Sequence, residues 1–68
     1  MDDTSQYLST EYLDDGETVK WCSYGRQGLI DAVESADWNI RRGNCKRVKV
    51  ERLTPTGYRK VVYTRGEA

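Results

Sequence analysis

Residues 32–39 read AVESADWN, and this stretch decides the fold because it continues an amphipathic pattern that predicts a helix over residues 27–42. At about 100° per residue, one side of this helix forms an apolar stripe, made of Leu29, Val33, Ala36 and Ile40. Trp38 falls on the opposite side, beside Ile30 and Arg41. A tryptophan exposed in so small a protein needs a cover. We therefore expect either another part of the chain or a partner to contact Trp38.

The residues before this helix predict a β-hairpin. Asp15-Gly16 is a pair favoured in two-residue hairpin turns, and such a turn places Tyr12 opposite Val19 and Glu11 opposite Lys20. Five side chains would then share the core side, namely Leu8, Thr10, Tyr12, Val19 and Trp21. The hairpin also gives the chain an acidic end, formed by Glu11, Asp14, Asp15 and Glu17. This end either keeps the domain soluble or imitates nucleic acid towards a basic partner.

The residues after the helix predict a second hairpin around a turn at residues 54–57. In the expected register, Val50 faces Val61 and Val48 faces Tyr63, and these four side chains point towards the helix. The reverse face would hold Arg47, Lys49, Glu51, Tyr58, Lys60 and Val62, with Glu51 opposite Lys60. This face is either a solvated sheet surface or a basic surface that contacts phosphates, with Tyr58 available for stacking.

These elements predict a single α+β domain over residues 1–68, in the order ββαββ, with one antiparallel sheet packed on one helix. We expect residues 1–5 and 66–68 to fray. A chain of 68 residues has a small core, which favours recognition through an outer surface. No segment is apolar enough for a membrane span and no signal segment opens the chain, so we expect a cytoplasmic protein without a membrane partner.

The formal net charge of zero conceals an imbalance along the chain. Residues 1–19 contain six acidic and no basic residues, whereas residues 20–68 contain eleven basic and five acidic ones. Such a dipolar protein can meet a basic partner at one end and an acidic partner at the other.

The residue types needed for catalysis are scarce. The chain has no histidine, no phosphate-binding glycine motif, and acidic pairs that read as turn formers. We therefore expect no enzymatic activity, no small-molecule substrate, no cofactor and no metal. Cys22 and Cys45 are expected in strands that could be neighbours, and reduced thiols are favoured over a disulfide in the cytoplasm.

Part of the sequence resembles the small coliphage-encoded inhibitors of bacterial RNA polymerase. The resemblance rests on Ala32, Glu34, Ala36, Asp37, Trp38 and Asn39 in the helix, followed by Val48 and Val50 in the next strand. It implies a non-enzymatic protein that binds the polymerase jaw through strand arginines and an acidic strip. Where that family has an Arg-x-Arg-like pair, this chain has Lys49-Val50-Glu51, and residues 58–65 have no clear counterpart there.

We therefore expect a phage- or mobile-element-type inhibitor that obstructs a host machine in the bacterial cytoplasm, either RNA polymerase or a CRISPR effector complex. Arg47, Lys49 and Lys60 would contact an acidic partner surface, Trp38 and Arg41 would form a second patch, and Glu11, Asp14, Asp15 and Glu17 would form the acidic end. Two alternatives remain. One is a nucleic-acid-binding module that uses Arg47, Lys49, Tyr58 and Lys60, and the other is a structural subunit that self-associates.

Overall fold

The computed structural model describes residues 5–66 and has the predicted order of two strands, a helix and two strands. The elements are β1 (Gln6–Tyr12), β2 (Thr18–Tyr24), α1 (Gly25–Arg42), β3 (Arg47–Leu53) and β4 (Arg59–Gly66). All strands are antiparallel and form one sheet in the order β2-β1-β3-β4, so the two hairpins join through β1 and β3. The helix packs on one side of this sheet. The predicted α+β class is confirmed.

The helix begins directly after β2. Its N-cap, Tyr24, has an extended backbone and makes no side-chain capping hydrogen bond. At the other end, Gly43 adopts φ 75°, and its N–H donates to the Ile40 carbonyl at 3.1 Å. The Asn44 N–H donates to the Asn39 carbonyl at 3.0 Å. A left-handed glycine is the usual end of a helix, and the predicted stop after residue 42 is confirmed.

Both ends of the described chain make backbone contacts. The Ser5 carbonyl accepts a hydrogen bond from the Gly25 N–H at 2.8 Å, and Gly66 pairs with Arg47 at the end of β4. The fraying expected at residues 1–5 and 66–68 stays a prediction, and residues 1–4, 67 and 68 lie outside the described residues.

Both hairpins turn through a three-residue loop rather than the tighter turn expected from the sequence. In the first, the Leu13 N–H donates to the Glu17 carbonyl at 2.8 Å, and the Gly16 N–H donates to the Leu13 carbonyl at 3.1 Å. The second hairpin repeats this arrangement from Thr54 to Tyr58. A positive φ at the last loop residue, 89° at Gly16, identifies a type I turn followed by a glycine bulge.

The longer first loop shifts the register of the hairpin by one residue. Tyr12 pairs with Thr18, and Glu11 pairs with Val19, so the predicted pairing of Glu11 with Lys20 is wrong. Because side chains alternate along a strand, the shift exchanges the two faces of β1. Tyr7 and Ser9 point towards the helix and are buried, whereas Leu8, Thr10 and Tyr12 lie on the other face. The expectation for Val19 and Trp21 on the helix side is correct.

The second hairpin also departs from the expected register. Val50 pairs with Tyr63, and both pack with Val48 against the helix, but Glu51 pairs with Val61. β4 therefore contains one extra residue, Val62, which makes a β-bulge. The predicted positions of Val48, Val50 and Tyr63 are correct. The predicted position of Val61 and the predicted pairing of Glu51 with Lys60 are wrong.

The helix approaches the sheet through its smallest residues. Gly28, Ala32 and Ala36 are buried and recur every four positions, so they form one row that is inclined to the helix axis. A Cβ atom at Gly28 would lie 3.0 Å from the backbone carbon of Ser23. Leu29 and Ile40 pack at the sides of this row rather than at its centre. The predicted stripe and the observed row share Ala36, but the buried face of the helix is rotated towards Gly28 and Ala32. Small residues at these positions allow the helix backbone to come close to the sheet.

Candidate interaction surfaces

One side of the sheet has no element packed on it, and we call this surface the open face. It contains every second residue of the strands, on the side away from α1. Its apolar members are Leu8, Tyr12, Tyr24, Leu53, Val61 and Val62. Tyr24 is 65% exposed, Val61 50% and Val62 40%, so bulky apolar side chains meet solvent across this face.

Basic side chains accompany these apolar groups. They are Lys20, Arg47, Lys49 and Arg59, one or two from each strand except β1. The Arg47 guanidinium lies over the Tyr12 ring, 5.5 Å from its centroid, and this contact holds the arginine against the face. Lys49 Nζ lies 3.7 Å from the Glu51 carboxylate, which is buried among its neighbours. Within residues 5–66, the open face thus has four cations and one acidic group in its strands.

The basic residues Arg47, Lys49 and Lys60, expected together on one face of the second hairpin, are divided between the two faces of the sheet. Arg47 and Lys49 lie on the open face, as predicted. Lys60 pairs with Arg52 on the helix side, because the bulge changes the alternation along β4. These two cations line a depression of about 350 Å³ near the second turn. Tyr58 lies at the end of that turn and is exposed, so it does not stack beside Arg47 and Lys49.

Trp38 lies on the outer side of the helix, with half of its surface exposed. The Arg42 guanidinium stacks over the indole at 4.6 Å from the ring centroid, one helical turn away. Arg41 and Arg42 line a shallow depression with Trp38, of about 340 Å³. The contact of Trp38 with Arg42 was not foreseen, although the spacing of four residues was a signal for it. This patch and the open face point in opposite directions.

The acidic end predicted from the sequence exists only in part. Asp14, Asp15 and Glu17 are exposed at the first turn, where an Asp15 carboxylate oxygen accepts the Glu17 N–H at 2.9 Å. Glu11 is half-buried on the helix side, and its Oε2 accepts a hydrogen bond from Trp21 Nε1 at 2.9 Å. Its expected place among the exposed acids is therefore wrong, because the register shift turns its carboxylate towards the indole.

A polar contact joins the helix to β4. The Tyr63 hydroxyl donates to Asp37 Oδ1 at 2.6 Å, and Arg65 Nε lies 3.5 Å from the same oxygen. The hydrogen bond to Asp37 raises the pKa of Tyr63, and burial and the Asp37 charge add to this effect, while Arg65 lowers it. Asp37 therefore has a structural role beside Trp38, and its carboxylate is engaged on the sheet side of the helix.

We expect Asp37→Ala to lower the pKa of Tyr63 towards its ordinary value and to destabilise the fold by about 1–2 kcal/mol, since a hydrogen bond to a charged group is lost. Arg65→Gln is the matched control, because it removes a cation and should raise the same pKa. NMR titration of the Tyr63 ring and urea unfolding measure the two effects. The pKa in the folded state is raised above the unfolded value, so this stabilisation is present below pH 10 and disappears as Tyr63 ionises. Equal pKa shifts of the same sign in both variants would contradict this assignment.

The two cysteines are free and have different environments. Cys22 is exposed in β2 on the open face, and Cys45 is buried in the connection between α1 and β3 rather than in a strand. Burial, followed by the nearby charge of Glu11, raises the pKa of the Cys45 thiol. The preference for unpaired thiols agrees with this geometry. Residues 5–66 contain no cluster of three side chains suited to holding a metal ion.

Comparison with known proteins gave no match to a family model, to a curated protein or to a solved structure. Among residues 5–66, α1 is too polar to cross a membrane.

Proposed function

We propose that this protein is a non-enzymatic inhibitor of the phage or mobile-element type, which binds a large host complex through its open face and obstructs it. The resemblance of residues 32–39 and 48–50 to inhibitors of bacterial RNA polymerase supports this class of function and makes polymerase the first partner to test. CRISPR effector complexes are the second, since helix-and-sheet miniproteins also block them.

The structural observation that supports this proposal is the chemistry of the open face. Val61 and Val62 are adjacent, aliphatic and exposed on a strand where alternation would normally hide one of them. Burying aliphatic groups of this kind against apolar protein surface lowers the free energy of the complex. The cations Arg47 and Lys49 lie beside them and would pair with acidic groups at the edge of the partner's contact surface.

Trp38 and Arg41 remain a second candidate patch, but one rigid partner surface cannot cover both sides of the domain. The protein measures 39 × 21 × 17 Å along its principal axes, and the helix separates Trp38 from the open face. We therefore assign the contact to the open face and treat the Trp38 patch as the alternative contact. A variant at each surface distinguishes the two.

Capture from a bacterial lysate tests the proposal. The tagged wild-type protein should retain RNA polymerase or a CRISPR effector complex, and the purified complex should lose activity when the protein is added. Val62→Glu should abolish capture, because it places a charge among exposed apolar groups without entering the core. Ile30→Glu is the matched control for added charge, because Ile30 is an equally exposed aliphatic residue on the outer side of α1, away from the open face. Capture that survives Val62→Glu and fails with Trp38→Ala would contradict the assignment to the open face.

A second candidate function is nucleic-acid binding, favoured by the stacked Tyr12 and Arg47 beside Lys49. Aromatic rings with cations on an uncovered sheet are suited to single strands. Binding of a labelled oligonucleotide would weaken steeply with salt and would fail with Tyr12→Ala. It would survive neutralisation of Asp14 and Asp15. Absence of any mobility shift at low salt would eliminate this candidate.

A further inference from the structure

The two outer strands of the sheet differ in how they are protected against pairing with another chain. β4 contains the bulge at Val62 and the cations Arg59, Lys60 and Arg65 along its length. Bulges and charges of this kind discourage edge-to-edge contact. β2 has an uninterrupted seven-residue register with β1, no proline and one charged residue, Lys20. β2 is therefore the edge at which a further strand can add.

The hydrogen bonds at both ends of the first hairpin show which backbone groups of β2 face outwards. Ser5 bonds with Gly25 and Leu13 bonds with Glu17, so the odd-numbered residues between them direct their backbone groups towards β1. The alternate residues, Thr18, Lys20, Cys22 and Tyr24, direct their N–H and carbonyl groups away from the sheet. An added strand must pair with these four residues.

We propose that β2 pairs with β2 of a second copy of this chain, antiparallel and centred on Trp21. A two-fold axis through this centre pairs Thr18 with Tyr24 of the second copy and Lys20 with its Cys22. All four outward-facing residues then find partners, and all seven residues of each strand are used. The result is a closed dimer with one eight-stranded sheet, whose open faces lie on the same side.

Charge complementarity at both ends of the paired strands supports a second copy as the occupant. Glu17 is the residue before β2. In this register, Glu17 of one chain lies opposite Gly25 of the other chain, next to Arg26 of that other chain. Asp15 and Glu17 are exposed, and the helix that begins there lacks a side-chain cap and has no acidic residue in its first turn. Its positive end and Arg26 therefore face the acidic turn of the second copy, twice in each dimer.

The neighbouring two-fold registers are less favourable. Centring on Lys20 places two lysines directly opposite each other, a destabilising cross-strand pair. Centring on Cys22 leaves Thr18 without a partner inside β2. The register centred on Trp21 avoids both problems and brings the two indole rings together on the helix side, where Trp21 is already half-buried.

Analytical ultracentrifugation of the full chain tests this pairing. The mass should rise with concentration from 7.9 kDa to twice that value and no further. Cys22→Glu places a carboxylate opposite Lys20 of the second copy at two symmetric positions, and we expect dimerisation to strengthen by about fivefold. Cys22→Lys should weaken it by a similar factor, and Cys22→Ser is the neutral control. Position 22 is exposed, so we expect all three variants to fold, and circular dichroism checks this.

The charged ends provide an independent test. Glu17→Lys and Arg26→Glu should each weaken dimerisation, and the double variant should restore it, because the two charges exchange places. A mass of 7.9 kDa at every concentration would overturn the proposal, and so would growth into species larger than a dimer. Weakening by both Cys22→Glu and Cys22→Lys would overturn the register centred on Trp21, since both variants place like charges opposite each other only when Cys22 lies at the centre.

Discussion

Tyr7→Ala is expected to leave the protein unfolded at room temperature. Tyr7 is 5% exposed and points from β1 into the space between the sheet and the helix, where it is the bulkiest side chain of the buried core. Truncating a buried aromatic residue to alanine costs about 3–5 kcal/mol. A core of this size rarely supplies more than about 3–5 kcal/mol in total. The loss therefore equals the whole stability of the domain.

Far-UV circular dichroism and urea unfolding measure this effect. Tyr24→Ala is the matched control, since the same residue type in the neighbouring strand is 65% exposed and its replacement should change stability by about 0.5 kcal/mol or less. A cooperative urea transition of Tyr7→Ala at the wild-type midpoint would show that Tyr7 is not part of the core. The same result would refute the observed register of the first hairpin.

Ala32→Leu is expected to destabilise the fold by about 1–3 kcal/mol, because the helix has no room for a larger side chain against the sheet. Ala32 is 0% exposed and lies midway between Gly28 and Ala36 in the row that approaches the strands. Alanine and leucine have similar helix propensities, so the change reports packing alone. The larger residue must push the helix outwards or force its neighbours from their rotamers.

Urea unfolding also tests this prediction, with Ile30→Leu on the exposed side of the same helix as the control. The control should unfold at the wild-type urea concentration, because Ile30 meets solvent. If Ala32→Leu were as stable as the wild type, the close approach of the helix to the sheet would be wrong. The expected stripe of Leu29, Val33, Ala36 and Ile40 would then describe the helix better.

The helix and its limits could be predicted because local signals determine them. An apolar period of 3.6 residues runs from Leu29 to Ile40, and Gly43 can adopt the left-handed conformation that ends a helix. The face was predicted less well. The periodic pattern of a sequence is dominated by its large apolar residues. In this helix the small residues Gly28 and Ala32 determine where the helix backbone comes closest to the sheet.

The hairpins could be predicted from their turn residues, but their registers could not. Asp15-Gly16 fits a two-residue turn and also fits the last two positions of a three-residue loop with Gly16 in the left-handed region. The choice depends on which face of β1 is buried, and this is set by β3, which is distant in sequence. The interaction of Glu11 with Trp21 follows from the same choice.

The open face was not foreseen as one surface because it depends on all four strands. Tyr24 and Val62 are about forty residues apart and lie at opposite edges of the sheet, which only the pairing of β1 with β3 joins. The bulge at Val62 has no local sequence signal, since a run of valines suits a regular strand equally well. It moves Val61 out of the predicted core and separates Lys60 from Arg47 and Lys49.

NMR chemical-shift mapping shows directly whether the open face binds the partner. The labelled protein is titrated with the complex captured from the lysate, and the affected amide and methyl signals are assigned. We predict that the methyl groups of Leu8, Val61 and Val62 and the amides of β3 and β4 change or broaden, while the signals of Ile30 and Trp38 stay in place. Changes confined to residues 30–42, with the valine methyl signals unaltered, would contradict the account.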